Sequence, residues 1–168
     1  VSHSIDHSDI RGLGDGSMGA RNTQHVFGWR AGFIVALIDF CKGAGVISLA
    51  RLFELNLTWQ ILSGVAVVLG HDFPLFADFK GGQGMAASLG TMSMLFWEET
   101  LIGFLLFALV YLMSRNFDLS ASLGLGLMVL LLVKNLKPHS LIAYSVLLLV
   151  CIPIKKFWDS RHRLPRGA

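Results

Sequence analysis

The segment Gly70–Ser88, GHDFPLFADFKGGQGMAAS, sets a histidine, a lysine and closely spaced glycines between two apolar stretches. Lys80 precedes Gly81, Gly82 and Gly84, where a helix is expected to open at about Gly84. A helix N-terminus presents unpaired N–H groups and a partial positive charge. Glycines let such amides approach a ligand closely, and a lysine adds a full charge. The chemistry this suits is the holding of a phosphate. The alternative is a tight interhelical turn with Lys80 as a membrane-surface anchor. A P-loop is excluded, because its spacing and its Lys-Ser/Thr ending are missing.

Four other groups could join such a site. DIRGLGDGSMGARN, Asp9 to Asn22, carries Gly12, Gly14, Gly16 and Gly19 beside Arg11 and Arg21, and reads as a second polar binding loop or a solvated tail. Asp39 and Lys42 lie three apart and share one helix face. Charges inside an apolar segment are costly and point to function, here a ligand-facing lysine oriented by an aspartate. His71 follows an uncharged stretch and can relay a proton or serve as a hydrogen-bonded structural residue. Arg161 and His162 in the tail can fold back over the same site or act as plain surface charge.

The elements that must position these residues are apolar. The chain has 168 residues, 54% hydrophobic and only 15% charged, with a mean hydropathy of +0.62. Soluble domains carry about a quarter charged residues, so this composition is that of an integral membrane protein. Its net charge of +3 belongs to loops at a membrane face and does not indicate nucleic-acid binding. Cys41 and Cys151 sit in apolar blocks without metal-ligand spacing and are expected to be buried free thiols.

After a polar block to about Arg30, six apolar blocks follow, near Ala31–Phe53, Leu57–Gly70, Gly84–Trp97, Leu101–Ser114, Leu119–Val133 and Leu141–Ile154. Most are shorter than the ~20 residues of a full span, but tilt or a thin bilayer accommodates them. The absence of strict alternation argues against a β-barrel. The expectation is an all-α, polytopic membrane bundle of six short helices in one domain: a glycine-rich loop over 1–30, the bundle over 31–158 and a tail over 159–168. Gly64, Gly90, Gly103, Gly124 and Gly126 are candidates for close helix packing.

The positive charges fix an expected orientation. With the N-terminal block inside, one face collects Arg11, Arg21, Arg30, Lys80, Arg115, Lys155, Lys156, Arg161, Arg163 and Arg166, and the other keeps Arg51, Lys134 and Lys137. Both termini and both glycine-rich loops then share the cytoplasmic face.

Taken together these motifs resemble the bacterial membrane acyl-phosphate:glycerol-3-phosphate acyltransferases of the PlsY type. GHDFPLFADFKGGQGMA is similar to that family's Gly-His-x-x-Pro-x-Phe…Phe-Lys-Gly-Gly-Lys-Gly segment. DFCKG is similar to its Asp-x-x-Lys-Gly, DIRGLGDGSMGARN to its Asp-Ile-Arg…Gly-Ser-Gly-Asn-x-Gly-Ala-Thr-Asn, and SRHR to its terminal Arg-His element. The resemblance covers nearly the whole chain and keeps the motifs in order. It implies seven short helices, the first lying upstream of Val1, where no signal peptide is read. It also implies transfer of an acyl group from an acyl phosphate to the 1-hydroxyl of glycerol 3-phosphate among membrane lipid. The products are lysophosphatidic acid and phosphate, with no metal or organic cofactor. His71, His162 and Lys42 are then the candidate catalytic residues. Lys80, Gly81, Gly82, Gly84, Arg11, Gly16, Gly19, Arg21, Asn22 and Arg115 are the candidate phosphate-binding set.

The chain departs from the pattern at particular positions. Asp15 stands for serine, Ser17 for asparagine, Arg21 for threonine, His25 for arginine, Gln83 for lysine, Asp118 for serine and Pro165 for asparagine. A divergent, non-catalytic membrane protein that binds a lipid or anion on the same scaffold is the competing reading.

Overall fold

The structure is a computed structural model that describes residues 13, 14, 16–74 and 81–161, without the side chains of residues 156 and 158–161. Arg11, Asp15, Lys80, His162 and Pro165 therefore lie outside the described residues. The described residues form seven helices and no strand: α1 (Ala20–Phe27), α2 (Trp29–Leu52), α3 (Leu57–Asp72), α4 (Met85–Leu95), α5 (Trp97–Ser114), α6 (Phe117–Lys134) and α7 (His139–Arg161).

The six apolar blocks correspond to α2–α7. α2, α5 and α6 are long and apolar enough to cross a membrane, and α4 and the first seventeen residues of α7 are shorter apolar helices. The expected loop over 1–30 is corrected in part, because α1 folds from its polar end. Gly28, at φ 84°, closes α1 by donating its amide to Gln24 and turns the chain directly into α2. This φ favours glycine. α3 and α6 begin where Asn56 and Asn116 accept the amides of Trp59 and Leu119, the expected use of asparagine at a helix start.

Small residues decide the tightest packing. A side chain at Gly43 would overlap the Ala87 carbonyl, and one at Gly90 the Phe40 carbonyl, so α2 and α4 touch backbone to backbone. Gly103 and Gly124 do the same for α5 and α6. Such contact is how helices associate when lipid removes the hydrophobic drive between them. Gly64 packs on the Tyr144 ring, whereas Gly126 has no atom within 4 Å, so the expectation fails there.

The core is small, centred on Val68, Ala87, Met92, Met128, Leu132, Tyr144 and Leu148. Many large apolar side chains, among them Leu105, Leu109, Leu112 and Leu130, face outward, as lipid allows. Cys41 is likewise exposed on α2, against the expectation of a buried thiol. Polar pins hold the interior. Thr91 Oγ1 and Tyr144 Oη lie 2.6 Å apart across α4 and α7. At the end of the bundle where α5 begins and α6 ends, buried Glu99 accepts from Asn135 at 2.8 Å and pairs with Lys137 at 3.4 Å.

Candidate functional site

The two glycine-rich segments meet at the other end. Gly81 and Gly82 donate their amides to the carbonyls of Asp72 and His71 at the end of α3, at 3.2 and 3.3 Å. Met18 donates to Gly81, and a side chain on Gly82 would lie 3.2 Å from the Cα of Gly19. Both loops therefore pack glycine on glycine. The amides of Gly81 and Gly82 are engaged with α3, and the two glycines admit a close approach of chains. The amides that helix geometry leaves unpaired belong to the first turn of α4, and Gly84, Met85 and Ala86 line the cavity described below. Gly84 takes the left-handed conformation at φ 64° that starts this helix.

Asn22 and Gly16 also have local duties. Fully buried Asn22 donates its amide to the carbonyls of Leu13 and Ser17, at 3.0 and 2.8 Å, and so clasps the first loop. Gly16 makes the turn, with φ 75° and its amide on Leu13. Neither lines the cavity, whereas Ser17, Gly19 and Arg21 do.

That cavity holds about 650 Å³ and is lined by residues of all seven helices, with α3 contributing His71 and α7 Ile152. Its polar part is built by Ser17, Arg21, Asp39, His71, Gln83 and Arg115, and its apolar part by Phe33, Leu89, Met92, Phe104, Phe107 and Met128. We call the polar part the head and the apolar part the arm, and Gly32, Gly84, Gly103 and Gly124 also contribute to the wall.

Asp39 is the electrostatic centre of the head. Its buried carboxylate lies 3.3 Å from Lys42 Nζ and 3.4 Å from His71 Nδ1. His71 Nε2, on the other side of the ring, faces Gly82, where any side chain would overlap it. A carboxylate at one ring nitrogen fixes the imidazole and leaves the other nitrogen for proton exchange. Lys42, with its side chain 57% exposed, stands outside the lining. Of the pair that the sequence singled out, Asp39 lines the cavity and Lys42 does not. The sequence reading gave Asp39 the role of orienting Lys42, and its contact with His71, 32 residues away, had no local signal.

Arg21 and Arg115 supply the described positive charge of the lining. Arg115 ends α5 with φ 54°. Arg21 lies 3.7 Å from Asp118 and stacks its guanidinium over Phe117, 5.1 Å from the ring centre. Phe117 in turn packs edge-on against Phe107 and Tyr111, tying α1 to α5 and α6 across the cavity mouth. Two departures from the family pattern, Arg21 and Asp118, therefore face each other. Lys155, read from the sequence as a surface charge, is buried with its ammonium 4.9 Å above the Phe73 ring.

A family model described as glycerol-3-phosphate acyltransferase matches residues 1–167. The chain belongs to that acyltransferase family. It is similar to glycerol-3-phosphate acyltransferase 1 of Dehalococcoides mccartyi, 35% identical over 98% of this chain and 82% of the relative. It is also similar to glycerol-3-phosphate acyltransferase 2 of Bacillus anthracis, 37% identical over 87% of this chain and 76% of the relative. Its fold matches the crystal structure of PlsY (YgiH), an integral membrane glycerol 3-phosphate acyltransferase. The glycerol 3-phosphate form of that protein matches with a TM-score of 0.84 and 25% identity, covering 98% of this chain and 86% of that one. The lysophosphatidic acid form matches with a TM-score of 0.76 and 26% identity over 90% and 81%. The all-α membrane bundle expected from the sequence is the fold of this acyltransferase.

Proposed function

We propose that the acyltransferase moves a fatty acyl group from an acyl phosphate to the 1-hydroxyl of glycerol 3-phosphate, giving lysophosphatidic acid and inorganic phosphate. The observation that carries this reading is the cavity itself, a cationic head continuous with an apolar arm. Both substrates have a dianionic end, and the donor has an acyl chain that the arm suits.

An acyl phosphate is already activated, so no acyl-enzyme is needed. The site must hold two anions together, aim the hydroxyl at the carbonyl and stabilise the oxyanion. Arg21, Arg115 and the first amides of α4 hold phosphate oxygens, with Lys80 and Arg11 adding charge from the two loops. Asp39 orients His71, and His71 Nε2 takes the proton of the attacking hydroxyl. His162 stands in the tail as a further phosphate-binding group. The hydroxyl oxygen bonds to the acyl carbon, the carbon–oxygen bond to phosphate breaks, and inorganic phosphate leaves with the bonding pair.

The same reading places the helices across a bacterial membrane in several passes, with the head at the cytoplasmic face. The gathering of Arg21, Arg30 and Arg115 near this end supports that orientation. The test is mass-spectrometric detection of lysophosphatidic acid from purified protein given palmitoyl phosphate and glycerol 3-phosphate, with palmitoyl-CoA in a parallel reaction. Product from the acyl phosphate alone is expected. Product only from the thioester would move the donor assignment, and no product from a folded protein that still binds glycerol 3-phosphate would favour a non-catalytic role.

A further inference from the structure

Ser88 stands apart from the other buried helical serines, Ser120 and Ser145. Ser48, Ser93, Ser114, Ser120 and Ser145 each donate to a carbonyl one turn back in their own helix. Such back-bonding is the ordinary way an apolar bundle accommodates a hydroxyl. The Ser88 hydroxyl is buried, at 1% exposure, and has no hydrogen-bond partner among the described residues. Its amide is held by Gly84 at 2.7 Å, and its carbonyl accepts from Thr91 at 2.8 Å, so the backbone is fixed and only the side-chain torsion is free. The neighbouring contact of Ala87 with Gly43 locks this turn of α4 against α2.

A buried, unsatisfied hydroxyl destabilises the fold, and alanine would fill the position without that penalty. Ser88 lines the cavity one turn past Gly84 and one turn before Met92. It therefore sits where the polar head gives way to the apolar arm. On the acyl-phosphate reading, the group of the donor at that level is the acyl carbonyl.

We propose that Ser88 is a catalytic hydrogen-bond donor to the acyl carbonyl oxygen, strongest when that oxygen carries the negative charge of the tetrahedral intermediate. A turn about its side-chain bond swings the hydroxyl to the ligand. As the glycerol 3-phosphate hydroxyl bonds to the acyl carbon, the carbonyl pair moves onto the oxygen facing Ser88. On collapse that pair re-forms the carbonyl, phosphate departs with the carbon–oxygen bonding pair, and the hydroxyl proton resides on His71. Ser88 keeps its own proton throughout. The assignment rests on the function proposed above.

The test compares Ser88→Ala and Ser88→Cys with the wild-type protein. A structural serine and a ligand-facing serine predict opposite results. The expected outcome for Ser88→Ala is a melting temperature raised by about 2–4 °C, with kcat lowered roughly 10²-fold and the KM for glycerol 3-phosphate unchanged. Ser88→Cys, which keeps the shape but donates weakly, should lose activity similarly. Wild-type kcat in Ser88→Ala overturns the proposal, as does a fall in melting temperature that matches the loss of activity.

Binding separates this assignment from the reading beneath it. A long-chain β-ketophosphonate keeps the carbonyl, and the alkyl phosphonate of equal length lacks it. Ser88→Ala should weaken the ketone about fivefold and leave the alkyl compound unchanged. Equal effects on both refute the role of Ser88 even if the wild-type enzyme turns over. A wild-type protein that shows this ketone selectivity without turnover keeps the role of Ser88 and refutes the acyl-transfer reading instead.

Discussion

Asp39→Asn isolates the electrostatics of the head with the least disturbance of shape. The carboxylate lies 3.4 Å from His71 Nδ1 and 3.3 Å from Lys42 Nζ, and it is 4% exposed. Asparagine keeps the volume but removes the charge, and its amide can donate to Nδ1. The ring hydrogen then sits on Nε2, the nitrogen that faces Gly82, and the base is lost. Effects of this kind on a positioned base cost about 10²–10⁴ in rate, or about 3–5 kcal/mol of transition-state stabilisation. The stability cost should be much smaller. Lys42 is 57% exposed in its side chain, so solvent takes it over when the partner goes, and such partly exposed pairs contribute only about 0–1 kcal/mol. The assay is the initial rate of phosphate release at saturating palmitoyl phosphate and glycerol 3-phosphate, beside a thermal melt in detergent. The expected result is a loss of at least about 10² in kcat with the melting temperature within a few degrees. Wild-type kcat in Asp39→Asn would refute the Asp39–His71 arrangement as proton-transfer machinery. An unfolded variant would instead make Asp39 a structural residue.

The Arg21–Asp118 pair predicts a non-additive series in titrations with glycerol 3-phosphate. Arg21→Ala should raise KM about tenfold through the loss of a charge-assisted contact, and Asp118→Ser should lower it by freeing Arg21. In the Arg21→Ala background the second change should do nothing, so additive effects on KM would contradict the exchange of partners. Gly82→Ala should abolish phosphate release while circular dichroism stays helical, because its methyl would overlap His71 Nε2 and crowd Gly19. Appreciable turnover would show that the loop relaxes away. Gly43→Ala should lower stability by about 1–3 kcal/mol through overlap with the Ala87 carbonyl. Gly126→Ala, with open space around it, should be neutral or stabilising by up to about 1 kcal/mol, and thermal melts decide between them.

Much of the fold was legible because apolar blocks and glycines carry their own physics. The six blocks became α2–α7, their ends set by Asn56, Gly84, Arg115 and Asn116. α1 was not legible, since it has no apolar face long enough to show a period and is held by Asn22 and Thr23 bonding back to the loop. The meeting of the two glycine-rich loops was anticipated from charge sidedness, but not its basis in Gly19 packed on Gly82. Sequence showed which glycines lie near the site, yet not which amides were free, because that depends on where α3 ends. Lys42 and Asp39 illustrate the same limit. Spacing places both on one helix face, and only the crossing of α2 with α4 decides which one reaches the cavity. Arg21 and Asp118 stood out singly as departures, and their compensation is visible only once α1 lies beside the start of α6.

The most direct measurement of the central claim is the stoichiometry of glycerol-3-phosphate-dependent phosphate release and lysophosphatidic acid formation, in the wild-type protein and in Ala121→Trp. Ala121 lines the cavity one turn before Leu125, so a tryptophan there would occupy space that the acyl donor needs. Acyl transfer in this cavity predicts equal amounts of the two products from the wild-type protein and neither from a folded Ala121→Trp. Unchanged turnover in the filled variant, or no acceptor-dependent release from the wild type, would contradict it.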